Sequence, residues 1–137
     1  SSAASDVYKR QVQAKNKVIL ATVKGDIHDI GKNIVKVLLE NYSFDVIDLG
    51  KDVPPEVIVD TAVEQDIRLV GLSALMTTTV VSMEETIKLL RERKPECKVM
   101  VGGAVLNQDY ADMIGADFYG KDAMQSVYYA QRVFEEE

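Results

Sequence analysis

The chain predicts an α/β fold: a five-stranded parallel sheet with helices on both faces. Three observations carry this. Short apolar runs of strand length recur from Lys17 onward, stretches with apolar residues at helical spacing separate them, and no hairpin signal joins one run to the next. Strands buried on both faces read as continuous apolar runs rather than as alternation, and these runs have that texture.

Val18-Ile19-Leu20-Ala21 is the first such run. From Gly31 to Asn41, the residues Ile34, Val35, Val37, Leu38 and Leu39 give a helix its apolar side. Phe44 to Leu49 reads as the second strand. Pro54-Pro55 opens a helix, since proline at the first turn lacks only an N–H that would be unpaired there. Val57, Ile58, Ala62 and Val63 form its buried stripe. Leu69 to Leu72 is the third strand, ending at Ser73. Ser82, or a threonine just before it, is the expected cap of a helix running to Arg93 and stopped by Pro95. Val99 to Val101 is the fourth strand, Asn107 to Ile114 a short helix, Ala116 to Tyr119 a fifth strand, and Ala123 to Phe134 the closing helix. Five βα units suit the flavodoxin-like, Rossmann-like strand order 2-1-3-4-5, in which ligands collect at the carboxyl ends of the strands.

Composition bounds the function. Of 137 residues, 47% are apolar and 28% charged, which is the mix of a globular protein and not of a disordered or disulfide-built one. Sixteen basic residues against twenty-two acidic ones leave a net charge of −6, which argues against a nucleic-acid partner. No apolar run has the length of a membrane span, and no signal peptide is visible, so a cytoplasmic location is expected. Cys97 has no second cysteine to pair with and reads as structural. Ser1–Ser5 read as a tag scar or linker and Asp6–Gln11 as a foreign lead-in. The expected division is therefore 1–16 as lead-in and 17–137 as the functional domain.

Three loops at the expected ligand rim hold the chemistry. The first, Lys24 to Asn33, contains Gly25, Asp26, Ile27, His28, Asp29, Ile30 and Gly31, with the chain's one histidine between two aspartates. Imidazole is a transition-metal ligand, and a carboxylate on its other nitrogen fixes the tautomer. Asp26 and His28, two apart, point the same way if the segment is extended. A lone histidine in a polar loop is nonetheless more often a capping or solvated side chain, and this loop alone leaves both readings open. The second loop, Ser73 to Thr79, offers hydroxyls, or simply a helix cap. The third, Gly102-Gly103, lets a ligand or another backbone approach, or makes a tight turn.

Together, Asp26-x-His28-x-x-Gly31, then Ser73-x-Leu75, then Gly102-Gly103 resemble the signature of the cobalamin-binding Rossmann-like domain, over Lys17 to about Phe134. The wording GDIHDIGKNIV is similar to the methyl-transferring branch, which includes cobalamin-dependent methionine synthase and the corrinoid proteins of methanogen and acetogen methyltransferase systems. The resemblance implies a cobalamin (corrinoid) cofactor bound base-off, its nucleotide tail in a slot between strands one and three. It implies His28 as the axial cobalt ligand and Asp26 behind it on the other ring nitrogen. Ser73 and Thr77 contact the tail, Gly102 and Gly103 make room for it, and Thr79 stands where a relay hydroxyl is expected. Gly25, Ile27, Asp29, Ile30, Gly31, Leu75 and Ala123 complete the implied binding set. No catalytic group of the chain's own is expected. Implied partners are a substrate-specific methyltransferase, an acceptor methyltransferase or domain, an N-terminal helical cap, and a reductive activator as an optional fourth.

Two other functions compete. A cobalamin-dependent sensor or regulatory domain would need an output domain. A receiver-like signalling domain, with Asp26 or Asp48 as phosphoacceptor, needs an acceptor aspartate after strand three, where this chain has Ser73 and no aspartate or glutamate before Glu84.

Overall fold

The structure is a computed structural model and describes residues 16–135. Ser1–Ser5 and Asp6–Gln11 lie outside the described residues. The elements are β1 (Lys17–Val23), α1 (Ile30–Asn41), β2 (Asp45–Val53), α2 (Pro55–Glu64), β3 (Leu69–Ser73), α3 (Thr77–Arg93), β4 (Lys98–Gly102), α4 (Gln108–Met113), β5 (Phe118–Tyr119) and α5 (Ala123–Glu135). The strands form one parallel sheet in the order β2-β1-β3-β4-β5, as expected.

Alternation along the strands builds two cores, because successive side chains point to opposite faces. Ile19 and Ala21 of β1, with Val70 and Leu72 of β3, pack against Ile58 of α2 and Met83, Ile87 and Leu90 of α3. Val18 and Leu20 of β1, Leu69 of β3 and Met100 of β4 face the other way, toward Leu39 of α1 and Val127 and Ala130 of α5. The α1–α5 side is the smaller core. Its sheet face is interrupted at the carboxyl end by Gly71, whose absent side chain leaves Leu20 and Met100 as neighbours across the strand.

Three boundaries depart from expectation. α3 begins at Thr77, not near Ser82, and Met76 caps it without a side-chain hydrogen bond. β-Branched residues carry only a small helix penalty, and burial of Thr79 and Val80 offsets it. Ser82 lies inside the helix, where its carbonyl accepts the Thr86 hydroxyl. β5 holds two residues, and Ala116 before it donates its N–H back to Ala111 of α4 rather than to the sheet. β2 runs on to Val53: while β1 advances from Leu20 to Val23, its partner advances from Asp48 to Val53, so β2 carries surplus residues there. Cys97 sits fully buried just before β4, at the opposite end of the sheet from the His28 loop, and burial pushes its thiol up to about 12.

Candidate functional site

The β1–α1 loop turns sharply after Val23, with Gly25 at φ +88° and the Asp26 N–H donating to the Val23 carbonyl. That turn carries the Asp26 side chain inward, where it is fully buried. Its carboxylate is ringed by donors. Oδ1 accepts the His28 backbone N–H at 3.0 Å and His28 Nδ1 at 2.7 Å. Oδ2 accepts the Leu75 N–H at 2.7 Å, the Met76 N–H at 3.4 Å and the Thr79 hydroxyl at 2.7 Å. Burial by itself would raise the Asp26 carboxyl. The bonds from Leu75, His28 and Thr79 outweigh it and hold the group well below the usual carboxylate range.

An ionised carboxylate only accepts, so the proton of the 2.7 Å bond belongs to His28 Nδ1. In the neutral ring, Nε2 then carries the lone pair, and it has no hydrogen-bond partner among the described residues. The His28 side chain is 45% exposed while Asp26 is 0% exposed, so a buried, fully partnered anion orients a half-open imidazole. Asp29, the other flanking aspartate, is the N-cap of α1 and makes no side-chain cap bond.

His28 lines a cavity of about 660 Å³. Its floor is Leu20, Gly71 and Met100 on the sheet, and its walls are the first turns of α1 and α5. Ile27, Asp29, Ile30, Gly31, Ser73, Leu75, Gly102, Gly103 and Ala123, all expected at the site, line it as well. Ile27 and Ile30 stand at its mouth, 64% and 77% exposed. Gly31 has open space where a side chain would project. The Ser73 hydroxyl pairs with that of Thr22 at 2.8 Å.

The remaining expected residues lie as follows. Thr77 is exposed at the first residue of α3 and does not line the cavity, while Thr79, where a relay hydroxyl is expected, donates its hydroxyl to Asp26. The cavity lies over β1, β3 and β4 on one face of the sheet. At Gly103 the close approach is made by backbone: with φ +137°, a Cβ there would stand 1.8 Å from the Ala74 carbonyl oxygen. Gly25 and Asp26 lie behind the cavity rather than in its lining.

Sequence reasoning missed Leu20, Gly71, Met100 and Ser126 in the lining. One signal was present, a glycine in the middle of the apolar run Leu69 to Leu72, which marks a close approach or a gap.

The donor set discriminates between metal forms. Among the described residues no cluster of three or more His, Cys, Asp or Glu could hold a bare metal ion. A lone oriented imidazole beside a large, mainly apolar cavity suits a metal already held in a macrocycle and in need of one axial ligand. The residues present therefore fit a corrinoid. No helix among the described residues is long and apolar enough to cross a membrane.

Comparison with known proteins agrees with this geometry. Residues 16–128 match the family described as B12 binding domain. Dimethylamine corrinoid protein 1 of Methanosarcina mazei is 46% identical over 112 residues, 80% of this chain and 52% of the relative. A crystal structure of a cobalamin-binding protein from Desulfitobacterium hafniense DCB-2 superposes with a TM-score of 0.82 at 41% identity, over 85% of this chain and 58% of that one. The methanol:cobalamin methyltransferase complex of Methanosarcina barkeri contains a chain that superposes with a TM-score of 0.85 at 32% identity, over 90% and 48%. The chain thus spans about half the length of the relatives it matches.

Proposed function

The chain belongs to the B12-binding domain family, so its cofactor is a corrinoid, and from that premise we propose that it is a methyl-carrier module holding the corrinoid base-off, with His28 as the protein ligand to cobalt. When bound, the corrinoid supplies a cobalt centre able to accept a methyl group and give it up again. The observation that carries the reading is the 2.7 Å bond from His28 Nδ1 to Asp26, which leaves Nε2 as the ring's free nitrogen on a residue that lines the cavity.

The chain's own residues would do three things. Asp26 holds the imidazole in one tautomer and one orientation, and Thr79 together with the Leu75 N–H holds Asp26. Ser73, Leu75, Gly102, Gly103 and Ala123, with the floor at Leu20, Gly71 and Met100, would receive the nucleotide tail. Ile27 and Ile30 at the mouth present apolar surface beside the ligand position. Methyl donor and acceptor sites are not among these groups. The reading therefore assigns them to a substrate-specific methyltransferase and an acceptor methyltransferase, with a helical cap domain and a reductive activator as further partners. The relatives named for dimethylamine and the complex named for methanol support a methyltransferase setting of this kind.

The test is the ultraviolet–visible spectrum of the protein mixed with hydroxocobalamin. The wild type should shift the cofactor spectrum to that of an imidazole-ligated, base-off form, and His28→Ala should not. Identical spectra for the bound wild type and the bound variant would overturn the assignment.

A further inference from the structure

The imidazole is oriented by Asp26, but Asp26 lies in a turn that needs its own support. That support comes from the edge strand β2. The surplus residues of β2 bring Asp52 round to face the β1–α1 turn, with Gly50 at φ +93° and Asp52 itself at φ +54°. There Asp52 makes two bonds in opposite senses. Its carboxylate Oδ1 accepts the Gly25 N–H at 2.8 Å, and its own N–H donates to the Asp26 carbonyl at 3.0 Å. The residue before Asp26 and Asp26 itself are thereby clamped to one residue of a neighbouring strand. A left-handed φ favours glycine and is tolerated by asparagine and aspartate, whose short polar side chains can hydrogen-bond locally; Asp52 adopts it with its carboxylate engaged on the Gly25 N–H, a bond glycine could not make.

The same strand reaches the far end of the loop. Asp48 accepts the buried Lys32 ammonium with both oxygens, at 2.8 and 2.9 Å, from the first turn of α1, and also accepts the Gly50 N–H that closes the bulge. The loop that carries His28 is thus held at both ends by β2, through Asp52 before it and Asp48 after it.

We infer that Asp52 is a positioning residue for the cobalt ligand: its side chain fixes the Gly25–Asp26 turn and, through Asp26, the His28 ring. The role in ligation rests on the His28 reading above; the clamp on the turn does not.

Three variants separate side chain from backbone. Asp52→Asn keeps an acceptor oxygen and tolerates the left-handed φ. Asp52→Gly suits that φ better than aspartate does but has no acceptor, and Asp52→Ala lacks both. In the protein without cofactor, hydrogen exchange at the His28 and Leu75 amides, both bonded to Asp26, should quicken about tenfold in the Gly and Ala variants and stay at the wild-type rate in the Asn variant. With hydroxocobalamin added, the imidazole-ligated fraction should fall in the Gly and Ala variants and recover in the Asn variant. Faster exchange confined to the Gly25 amide, or an Asp52→Gly protein matching wild type in both measurements, would overturn the inference. If His28→Ala leaves the bound spectrum unchanged, the ligand reading fails, and the exchange data still decide the clamp.

Discussion

Asp26 and His28 are joined twice through a single oxygen. Oδ1 accepts both the backbone N–H of His28 and its ring Nδ1, so the chain direction and the ring plane of the histidine are set by the same atom. Such double attachment explains why two residues separated by one isoleucine suffice to aim an imidazole. The backbone bond prevents the loop from sliding, and the ring bond prevents the side chain from turning.

Asp26→Asn should act on the tautomer more than on the ring's position. Every group around the carboxylate points a donor at it, and a carboxamide must place its NH2 against some of them. With NH2 toward the ring, His28 Nδ1 becomes the acceptor and the proton moves to Nε2, removing the lone pair that a metal needs. Affinity for hydroxocobalamin should fall about 10–100-fold, the usual range for loss of a group behind a metal ligand. The bound spectrum should shift toward that of His28→Ala although the histidine remains.

The same carboxylate ties stability to pH. Asp26 is held far below its ordinary range in the folded chain and returns to about 4 on unfolding. Its contribution is therefore complete above about pH 5 and is lost as pH falls below the unfolded value. Asparagine does not titrate. Urea unfolding should show Asp26→Asn less stable than wild type by about 2–3 kcal/mol at pH 7, with the gap narrowing steadily as pH falls from about 5 to about 2.

Thr79 is separable from its helix. Thr79→Val keeps the shape and the buried methyl but loses the donor to Asp26 Oδ2, and should cost about 1.5–2 kcal/mol, as for a hydrogen bond to a charged group. Thr79→Ser keeps the donor and should recover most of that loss. Thr77→Val, at an exposed position, should change neither unfolding nor corrinoid binding, as read by urea titration and by titration with hydroxocobalamin.

Two glycines of the site should fail in different ways. A Cβ at Gly71 comes closest to the far ends of Leu20 and Met100, at 2.6 and 3.0 Å, and those side chains can yield into the cavity they floor. Gly71→Ala should fold with near-normal stability and bind hydroxocobalamin more weakly. A Cβ at Gly103 meets backbone, so Gly103→Ala should lose about 2–3 kcal/mol of stability before binding is considered. Measuring unfolding and binding on both variants separates the two effects.

Much of this was legible in the residues. The alternation of strand and helix textures sufficed for a parallel sheet, because buried parallel strands and amphipathic helices have different periods, and five βα units then suited the order 2-1-3-4-5. The Asp26-x-His28 spacing announced the pair, since residues two apart share a side wherever the chain is extended. What stayed hidden depends on where elements begin and which way they bend. The three threonines 77–79 look alike by residue type, and only the family resemblance singled out Thr79; the start of α3 is what turns its hydroxyl toward Asp26. Gly50-Lys51-Asp52 looks like a plain loop, and only the slipped pairing with β1 turns Asp52 toward Gly25. Gly102-Gly103 reads as room for a ligand or for another backbone, and that the Ala74 carbonyl is the close neighbour of Gly103 is a long-range contact with no local signature.

The burial of Cys97 has a bearing on what a methyl carrier must avoid. A thiolate is a strong nucleophile toward electrophilic carbon, and a reactive one near the cofactor would be a dead-end methyl acceptor within the carrier itself. Here the sulfur lies at the far end of the sheet with no exposed surface, and burial pushes its thiol well above the usual range, which disfavours the thiolate. On the proposed function, Cys97 therefore presents no competing thiolate, and self-alkylation at this residue is opposed by both distance and burial.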